Sequence, residues 1–385
     1  MIRLFLLLFL ASLTLNAFAG VVKPSAKFFK NIGRPTLVKW GPERFPNNFK
    51  FDVVYYIPKS LENKENAQTL MFLHGGGVST LTRQGSLDVV ADIYLPYLKK
   101  LADELQMVVV LPSASGLNWS AHTSATLRDL THQIREDLNI DQNNIGLSGH
   151  SMGGMGITRV YHYLADEFAY FLPMAAGMEI RHQTEDRLIK LFNVPLLHLQ
   201  GIYDHFTDFV SRSQEKEKRL AELSKKYDEK SLFELSLFKG THDFDYPLFK
   251  SSILKLQKNP RNIYQKNLYG ILHYNNQNGV ENKIPYNRGS DPRYFWIEIK
   301  EASAPASLNF IAKIKDNRIS IETTTPNNHI KSIRVYLSRK MLSSEKPFSI
   351  TVNDKLEVNR MLTDKSYVHF ADSSFSFDDF EDIEL

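Results

Sequence analysis

The chain has 385 residues, no cysteine and a formal net charge of +4 from 47 basic and 43 acidic side chains. Disulfides, thiolate metal sites and a cysteine nucleophile are therefore excluded, and so even a charge balance leaves no electrostatic footprint for nucleic acid. The length accommodates two domains.

Residues 1–19 read as a removable signal peptide rather than fold material. Met1-Ile2-Arg3 gives a short basic start, residues 4–15 are almost unbroken in apolarity, and Ala17-Phe18-Ala19 offers small residues for cleavage before Gly20. The apolar run is too short for a comfortable membrane span, and no other stretch is long and apolar enough to cross a bilayer. The expected location is outside the cytoplasm, periplasmic or extracellular, with no integral span after signal removal. Removing the signal takes away only Arg3 among the charged residues, leaving a net charge of about +3. An exported chain without disulfides must be stable on its core, which a domain of about 200 residues can supply.

After a lead-in over residues 20–50, strand-like and helix-like segments alternate from Phe51 to Leu256, as in a mostly parallel sheet flanked by helices. Residues 51–57 read as an early strand ended by Pro58. The apolar strand 69–73 runs into His74-Gly75-Gly76-Gly77, where glycines let the backbone itself approach a substrate oxygen. Leu98, Leu101, Ala102 and Leu105 share a helical face, and residues 107–111 form a buried strand. The loop 113–123 holds Asn118 and Trp119. Trp119 is either a wall of the ligand crevice or a buried anchor, because loops at the carboxyl ends of parallel strands line that crevice. Leu127, Leu130, Ile134 and Leu138 have helical spacing, with Ser124 placed as the cap.

Next comes Gly149-His150-Ser151-Met152-Gly153-Gly154, between the apolar segment 145–148 and a helix that starts near Met152. A serine pinned between glycines at a strand-to-helix turn is a nucleophile elbow. The helix that follows aims its free N–H groups at the serine, where negative charge develops in acyl transfer. Met152 N–H is one expected oxyanion donor, and Gly75 or Gly76 N–H the other. His150 and Met152 flank the nucleophile and shape the pocket. Residues 169–173 are the next strand. The strand 195–200 ends in Gly201, and Asp204 follows as the favoured acid, with Asp208 on the same loop as the fallback. Tyr203 has the same two readings as Trp119. Residues 211–230 form a charged surface helix with Leu220, Leu223 and Tyr227 as its apolar stripe. The strand 235–238 then leads to Gly240-Thr241-His242. His242 is placed to accept the Ser151 proton and to deliver it to the leaving group, and Asp204 to hold the imidazole in its tautomer.

The order Ser, Asp, His is the chain order of the α/β-hydrolase fold. From about Val53 to about Leu256 the chain resembles that fold. It is most similar to the polyhydroxybutyrate-depolymerase, feruloyl-esterase and esterase D-like group, in which a HG-type loop precedes a G-x-S-x-G-G elbow. The stretch 140–145 before the elbow resembles that group as well. Prolyl-oligopeptidase-like peptidases share the elbow and the order. The resemblance thus implies the catalytic machinery more narrowly than the substrate.

The catalytic domain is expected over residues 51–258, and a smaller all-β, sandwich-like domain over 261–385. The second domain is read from strand-like runs at 294–299, 310–314, 319–322, 333–337, 348–352 and 367–370. It resembles the C-terminal β domains of some exported bacterial hydrolases and reads as a structural appendage. Residues 375–385 read as a mobile acidic tail. No P-loop, dinucleotide fingerprint, zinc motif or repeat is present, so no cofactor and no metal is expected. The leading reading is an exported serine hydrolase acting on a small-molecule or polymeric carboxylic ester. A serine peptidase and a non-catalytic polymer-binding protein are the alternatives.

Overall fold

The computed structural model describes residues 32–40, 51–62, 64, 66–76, 82–113, 119, 123–138, 140–177, 180, 183–206, 208–274, 293–304, 306–323, 329–362, 368–369, 376–377 and 379–384. The expected signal peptide, Gly77 and Asn118 lie outside them.

Eight strands build the first sheet: β1 (Thr36–Trp40), β2 (Phe51–Tyr56), β3 (Ala67–Leu73), β4 (Val108–Pro112), β5 (Ile140–His150), β6 (Tyr170–Met174), β7 (Leu196–Gly201) and β8 (Phe233–Phe238). Their order is β1-β2-β4-β3-β5-β6-β7-β8. The pairings from β4 through β8 are parallel, and β2 runs antiparallel to both of its neighbours. The chain visits β4 before it returns past β3 to β5. The carboxyl ends of β3 and β5 therefore lie side by side at a topological switch point, where open α/β sheets bind ligands.

The central strands are apolar on both faces, as strands covered on both sides must be. On one face Leu70, Phe72, Val109, Leu111, Leu172 and Leu199 pack against helices α2 (Leu95–Leu105) and α7 (Tyr246–Leu256). On the other, Met71, Leu73, Val110, Leu147 and Phe171 pack against α3 (Ser124–Asp137), α4 (Met152–Leu164) and α6 (Phe209–Tyr227). The alternation follows from the two-residue period of a strand. A short helix α1 (Arg83–Asp88) enters α2 through a π-helical turn, Val89–Tyr94. The short α5 (Glu185–Leu188) precedes β7. Ser124 is the first residue of α3 rather than its cap, since Thr123 holds that position and makes no side-chain capping bond. β1 lies inside the expected lead-in.

Among the described residues after α7, the strands form a five-stranded, a four-stranded and a two-stranded sheet. The five-stranded sheet has the order β16-β15-β13-β12-β9 and the four-stranded sheet β10-β11-β14-β19. Here β9 is Asn267–Tyr274, β10 Arg293–Tyr294, β11 Ile297–Ala302, β12 Ala306–Lys315, β13 Arg318–Thr323, β14 Ile330–Leu337, β15 Phe348–Val352, β16 Lys355–Arg360 and β19 Asp379–Glu384. Between β16 and β19 in sequence, β17 (Val368–His369) and β18 (Ser376–Phe377) pair with each other as the two-stranded sheet. The single strand expected over 294–299 is split by a turn at Phe295, whose φ of 52° turns the chain back. The expected mobile tail is instead partly β19, paired antiparallel to β14 from Ser332–Glu384 to Leu337–Asp379. Burial of Ile383 and an ion pair between Glu381 and Arg360 hold it there.

The apolar cluster on the α3/α4/α6 face continues without a break into these β-sheets, through Leu268, Tyr294, Trp296 and Phe310. Polar bonds stitch the same seam. Buried Asn193 donates to the Tyr269 carbonyl at 2.6 Å and to the Tyr294 hydroxyl at 2.8 Å, and Lys190 donates to the Ile271 carbonyl at 3.1 Å. Arg261, just past α7, donates to the Asp166 carbonyl at 2.7 Å.

Arg261 also borders a buried charge cluster. The Glu167 carboxylate takes Arg135 at 2.7 Å and His132 at 3.2 Å, with Arg128 at 3.7 Å and Arg261 at 3.9 Å. Burial alone would raise the Glu167 pKa, but these cations outweigh it and hold it well below the usual carboxylate value. A depressed folded-state pKa means that the unfolded chain binds more protons in the acid range. The contribution is complete above the unfolded value of about 4.3 and is lost as pH falls through the folded one. Glu167→Gln strands buried cations, so it should lower stability at neutral pH by about 3–5 kcal/mol and flatten the acid limb. Urea midpoints of both proteins at neutral pH and at several pH values from about 4 down to about 2 check this, and equal midpoints at neutral pH would refute it.

Candidate active site

β5 ends at His150 and α4 begins at Met152, so a single residue makes the turn between them. That residue, Ser151, has φ 55° and ψ −117°, a backbone conformation costly for any residue with a Cβ and tolerated where surroundings enforce it. The enforcement is close backbone packing. A Cβ on Gly149 would lie 2.8 Å from the Leu73 carbonyl oxygen, and one on Gly153 only 2.0 Å from it. The elbow and the end of β3 are thus in backbone contact, which only glycine permits. The Ser151 N–H is anchored on the Met174 carbonyl at 2.9 Å.

The three residues of the sequence constellation meet here. His242 Nε2 lies 2.8 Å from Ser151 Oγ, and His242 Nδ1 lies 2.9 Å from Asp204 Oδ2. A carboxylate only accepts, so Nδ1 carries the proton and Nε2 is the acceptor facing the serine. Asp204 is fully covered at its side chain and receives two more bonds, from Gln200 Nε2 at 2.9 Å and from the Phe206 N–H at 3.0 Å. Burial pushes its pKa up, but the bonds from His242, Gln200 and Phe206 outweigh that and keep it below its ordinary value. Asp208 stands apart: its side chain is 64% exposed and 3.7 Å from Arg212, one turn into the helix it precedes.

Gln200 is a partner that the sequence pattern does not reveal. It is buried on β7, accepts the Ala176 N–H at 3.0 Å through Oε1 and gives its amide to Asp204. A polar residue near the end of a largely apolar strand, four before the acid, is the signal that could have found it. The loop carrying His242 is tied to the loop carrying Asp204 by the Tyr203 N–H on the Gly240 carbonyl at 3.0 Å.

Around this centre several expectations change. Gly75 N–H points to the Tyr94 hydroxyl at 3.0 Å, so it is already engaged and not directed to a substrate oxygen. Gly76, the next residue, is exposed at the end of the same segment. Trp119 is not a crevice wall: it is fully buried, donates Nε1 to the His74 carbonyl at 3.1 Å and lies edge-on to the His74 ring. An indole at the switch point serves here as the support beneath the loop after β3. His150 is buried with both ring nitrogens engaged, Nδ1 at 2.9 Å from the Tyr94 hydroxyl and Nε2 at 3.0 Å from the His242 carbonyl, so it does not face a ligand. Burial, then the neighbouring His242, lower its pKa to about 4. Tyr203 is 62% exposed beside Asp204, and Met152 starts α4, whose first-turn N–H groups have no partner within the helix. Phe206, half-exposed, lies with its ring 4.4 Å from that of His242.

The sheet order and the positive-φ serine between β5 and α4 define the α/β-hydrolase fold. No known protein family and no curated protein matches the sequence. Among solved structures, a thermostable esterase aligns with 59% of this chain and 63% of its own at 17% identity and a TM-score of 0.43. The feruloyl esterase module from Clostridium thermocellum aligns with 62% of this chain and 93% of its own at 16% identity and a TM-score of 0.45. Porphyromonas gingivalis dipeptidyl peptidase 4 aligns with 60% of this chain and 36% of its own at 14% identity and a TM-score of 0.44.

Among the described residues no helix is long and apolar enough to cross a membrane, and no group of three or more His, Asp or Glu side chains gathers in a metal-binding arrangement.

In an ordinary helix Gly→Ala gains up to about 1 kcal/mol. Gly153→Ala should instead cost about 1–3 kcal/mol, because the new methyl is driven into the Leu73 carbonyl. Its urea midpoint, compared with that of the parent protein, decides the sign.

Proposed function

We propose that this chain is an exported serine hydrolase that cleaves carboxylic esters through an acyl-enzyme. The carrying observation is the unbroken series Ser151 Oγ, His242 Nε2, His242 Nδ1, Asp204 Oδ2, with separations of 2.8 Å and 2.9 Å. His242 takes the Ser151 proton as Oγ attacks the ester carbonyl. The tetrahedral oxyanion is held by Met152 N–H, at the positive end of α4, and by Gly76 N–H on the loop after β3. His242 then gives its proton to the departing alcohol, which leaves Ser151 acylated. A water molecule, deprotonated by the same imidazole, attacks the acyl carbon; the acid is released as Ser151 Oγ departs and takes the proton back from His242. Asp204 remains ionised and stabilises the imidazolium that forms in each half-reaction. The reading calls on no cofactor or metal.

The ester preference is supported by the resemblance of the loop and elbow to esterase D-like and feruloyl-esterase sequences. Export is supported by the signal-like residues 1–19. Tyr203 and Phe206 provide the exposed apolar surface on which a substrate would rest.

A protein starting at Gly20 should be labelled by a fluorophosphonate probe, whereas Ser151→Ala should not. Rates on nitrophenyl acetate and on a peptide nitroanilide, measured in parallel, separate esterase from peptidase. Faster amide cleavage would overturn the ester reading, and no labelling of folded protein would overturn the hydrolase reading as a whole.

Asp204→Asn should lower kcat by about 10^4-fold, because the amide no longer imposes the productive imidazole tautomer. Asp208→Asn should leave kcat within about twofold, since that side chain is mostly exposed and interacts with Arg212. Similar losses in both variants would refute the assignment of Asp204.

A further inference from the structure

His150 follows from the elbow pattern as a neighbour of the nucleophile with no chemical task. Its surroundings supply one. Nε2 faces the main-chain oxygen of His242 at 3.0 Å. A carbonyl only accepts, so Nε2 holds the ring proton and Nδ1 is left as an acceptor in the neutral ring. The group at Nδ1 is the Tyr94 hydroxyl, 2.9 Å away, which must therefore donate. That same hydroxyl oxygen accepts the Gly75 N–H at 3.0 Å. The direction of each bond is thus set by the one before it, from the His242 loop through the elbow to the loop after β3.

The series lies in a largely apolar setting. The Phe72 and Phe244 rings lie 5.1 Å and 6.4 Å from that of Tyr94, and Phe244 is edge-on to His150 at 6.1 Å. Bonds shielded in this way are not readily exchanged for bonds to water. Tyr94 closes the π-helical turn Val89–Tyr94, a rare backbone form that gathers at functional sites.

We propose that Tyr94 and His150 are positioning residues, which hold the oxyanion loop and the His242 loop in register with Ser151. The inference rests on the serine-hydrolase reading, because register matters only if Ser151 and His242 react. Its physical content lies in two peptide groups. Fixing the Gly75 N–H on Tyr94 orients the loop from which the Gly76 N–H projects. Fixing the His242 carbonyl on His150 orients the backbone from which the imidazole hangs. Base, nucleophile and oxyanion donors come from three distant parts of the chain, and an offset of about 1 Å among them can cost about a hundredfold in rate.

The test uses Tyr94→Phe, His150→Gln, their double variant and His150→Ala, with nitrophenyl acetate as substrate and circular dichroism to confirm folding. Tyr94→Phe removes only the hydroxyl. Glutamine retains a donor at the reach of Nε2 and gives up the acceptor toward Tyr94. Each single variant should lower kcat about tenfold with KM within about twofold, and the double variant should be no worse than Tyr94→Phe alone, since the one bond lost in His150→Gln is among the two lost with the Tyr94 hydroxyl. His150→Ala, which also frees the His242 carbonyl, should lose about a hundredfold, and glutamine should restore part of that. If alanine fails to fold, the other variants decide. A Tyr94→Phe protein within about twofold of the parent in kcat, or losses that multiply in the double variant, would overturn the positioning role. Fluorophosphonate labelling of the parent protein in the same series separates the two readings: an unlabelled parent sinks the hydrolase reading, whereas a labelled, active parent with unaffected variants sinks only this one.

Discussion

The backbone contact between the Leu73 carbonyl and the glycines on either side of Ser151 governs the geometry of the whole site. It forces the serine into a positive-φ conformation that throws its side chain outward at the head of α4. It also fixes how closely the end of β3 approaches the end of β5, and so where the His74-Gly75-Gly76 segment lies relative to Ser151. Strain of this kind survives only where the surroundings over-determine it. Here they do so through the Ser151 N–H on the Met174 carbonyl, the parallel pairing of β5 with β3 and β6, and the apolar packing of α4 beneath.

The acidic end of the site is controlled by satisfied burial rather than exposed charge. Asp204 is covered at its side chain and takes bonds from an imidazole, an amide and a main-chain N–H. These bonds orient the carboxylate toward His242 and favour its ionised form. Gln200 is in turn fixed by the Ala176 N–H, so the orientation of the acid is inherited from β7 and from the segment after β6. The elbow and the acid thus both derive their geometry from the middle of the sheet.

The C-terminal strands read in sequence as an appendage, whereas the structure gives them a share in the core of the chain. Lys190 and Asn193 place their polar ends on β9, and the apolar cluster below the sheet runs on into β10–β12. Arg261 lies at the junction, bonded to Asn143 and Asp166 and close to the Glu167 carboxylate. Burying so many ionic groups is costly unless each is matched. The cluster therefore ties the loop after α4, helix α3 and the segment after α7 to one relative placement.

Local pattern in the sequence determined a good deal: the alternation of strands and helices, the elbow, the glycine loop after β3, and the order of Ser151, Asp204 and His242. Each is set by short-range physics, such as strand periodicity, glycine at a forced turn, or an apolar run ending at a polar loop. Tertiary structure decided what depends on distant neighbours. Trp119 became a buried support because Gly156 of α4 leaves room for its Cβ, a fact separated from it by a helix and a strand. Gly75 lost its N–H to a tyrosine hydroxyl from a π-turn that no periodicity announces. The acidic C-terminal segment became β19 because β14 offered it an open edge and Arg360 a partner for Glu381. Asp204 and Asp208 are equivalent by loop position, and only the packing of β7 against the His242 loop distinguishes them. Sequence fixes which groups are available at the ends of strands, whereas the sheet order and the long-range hydrogen bonds fix which of them meet.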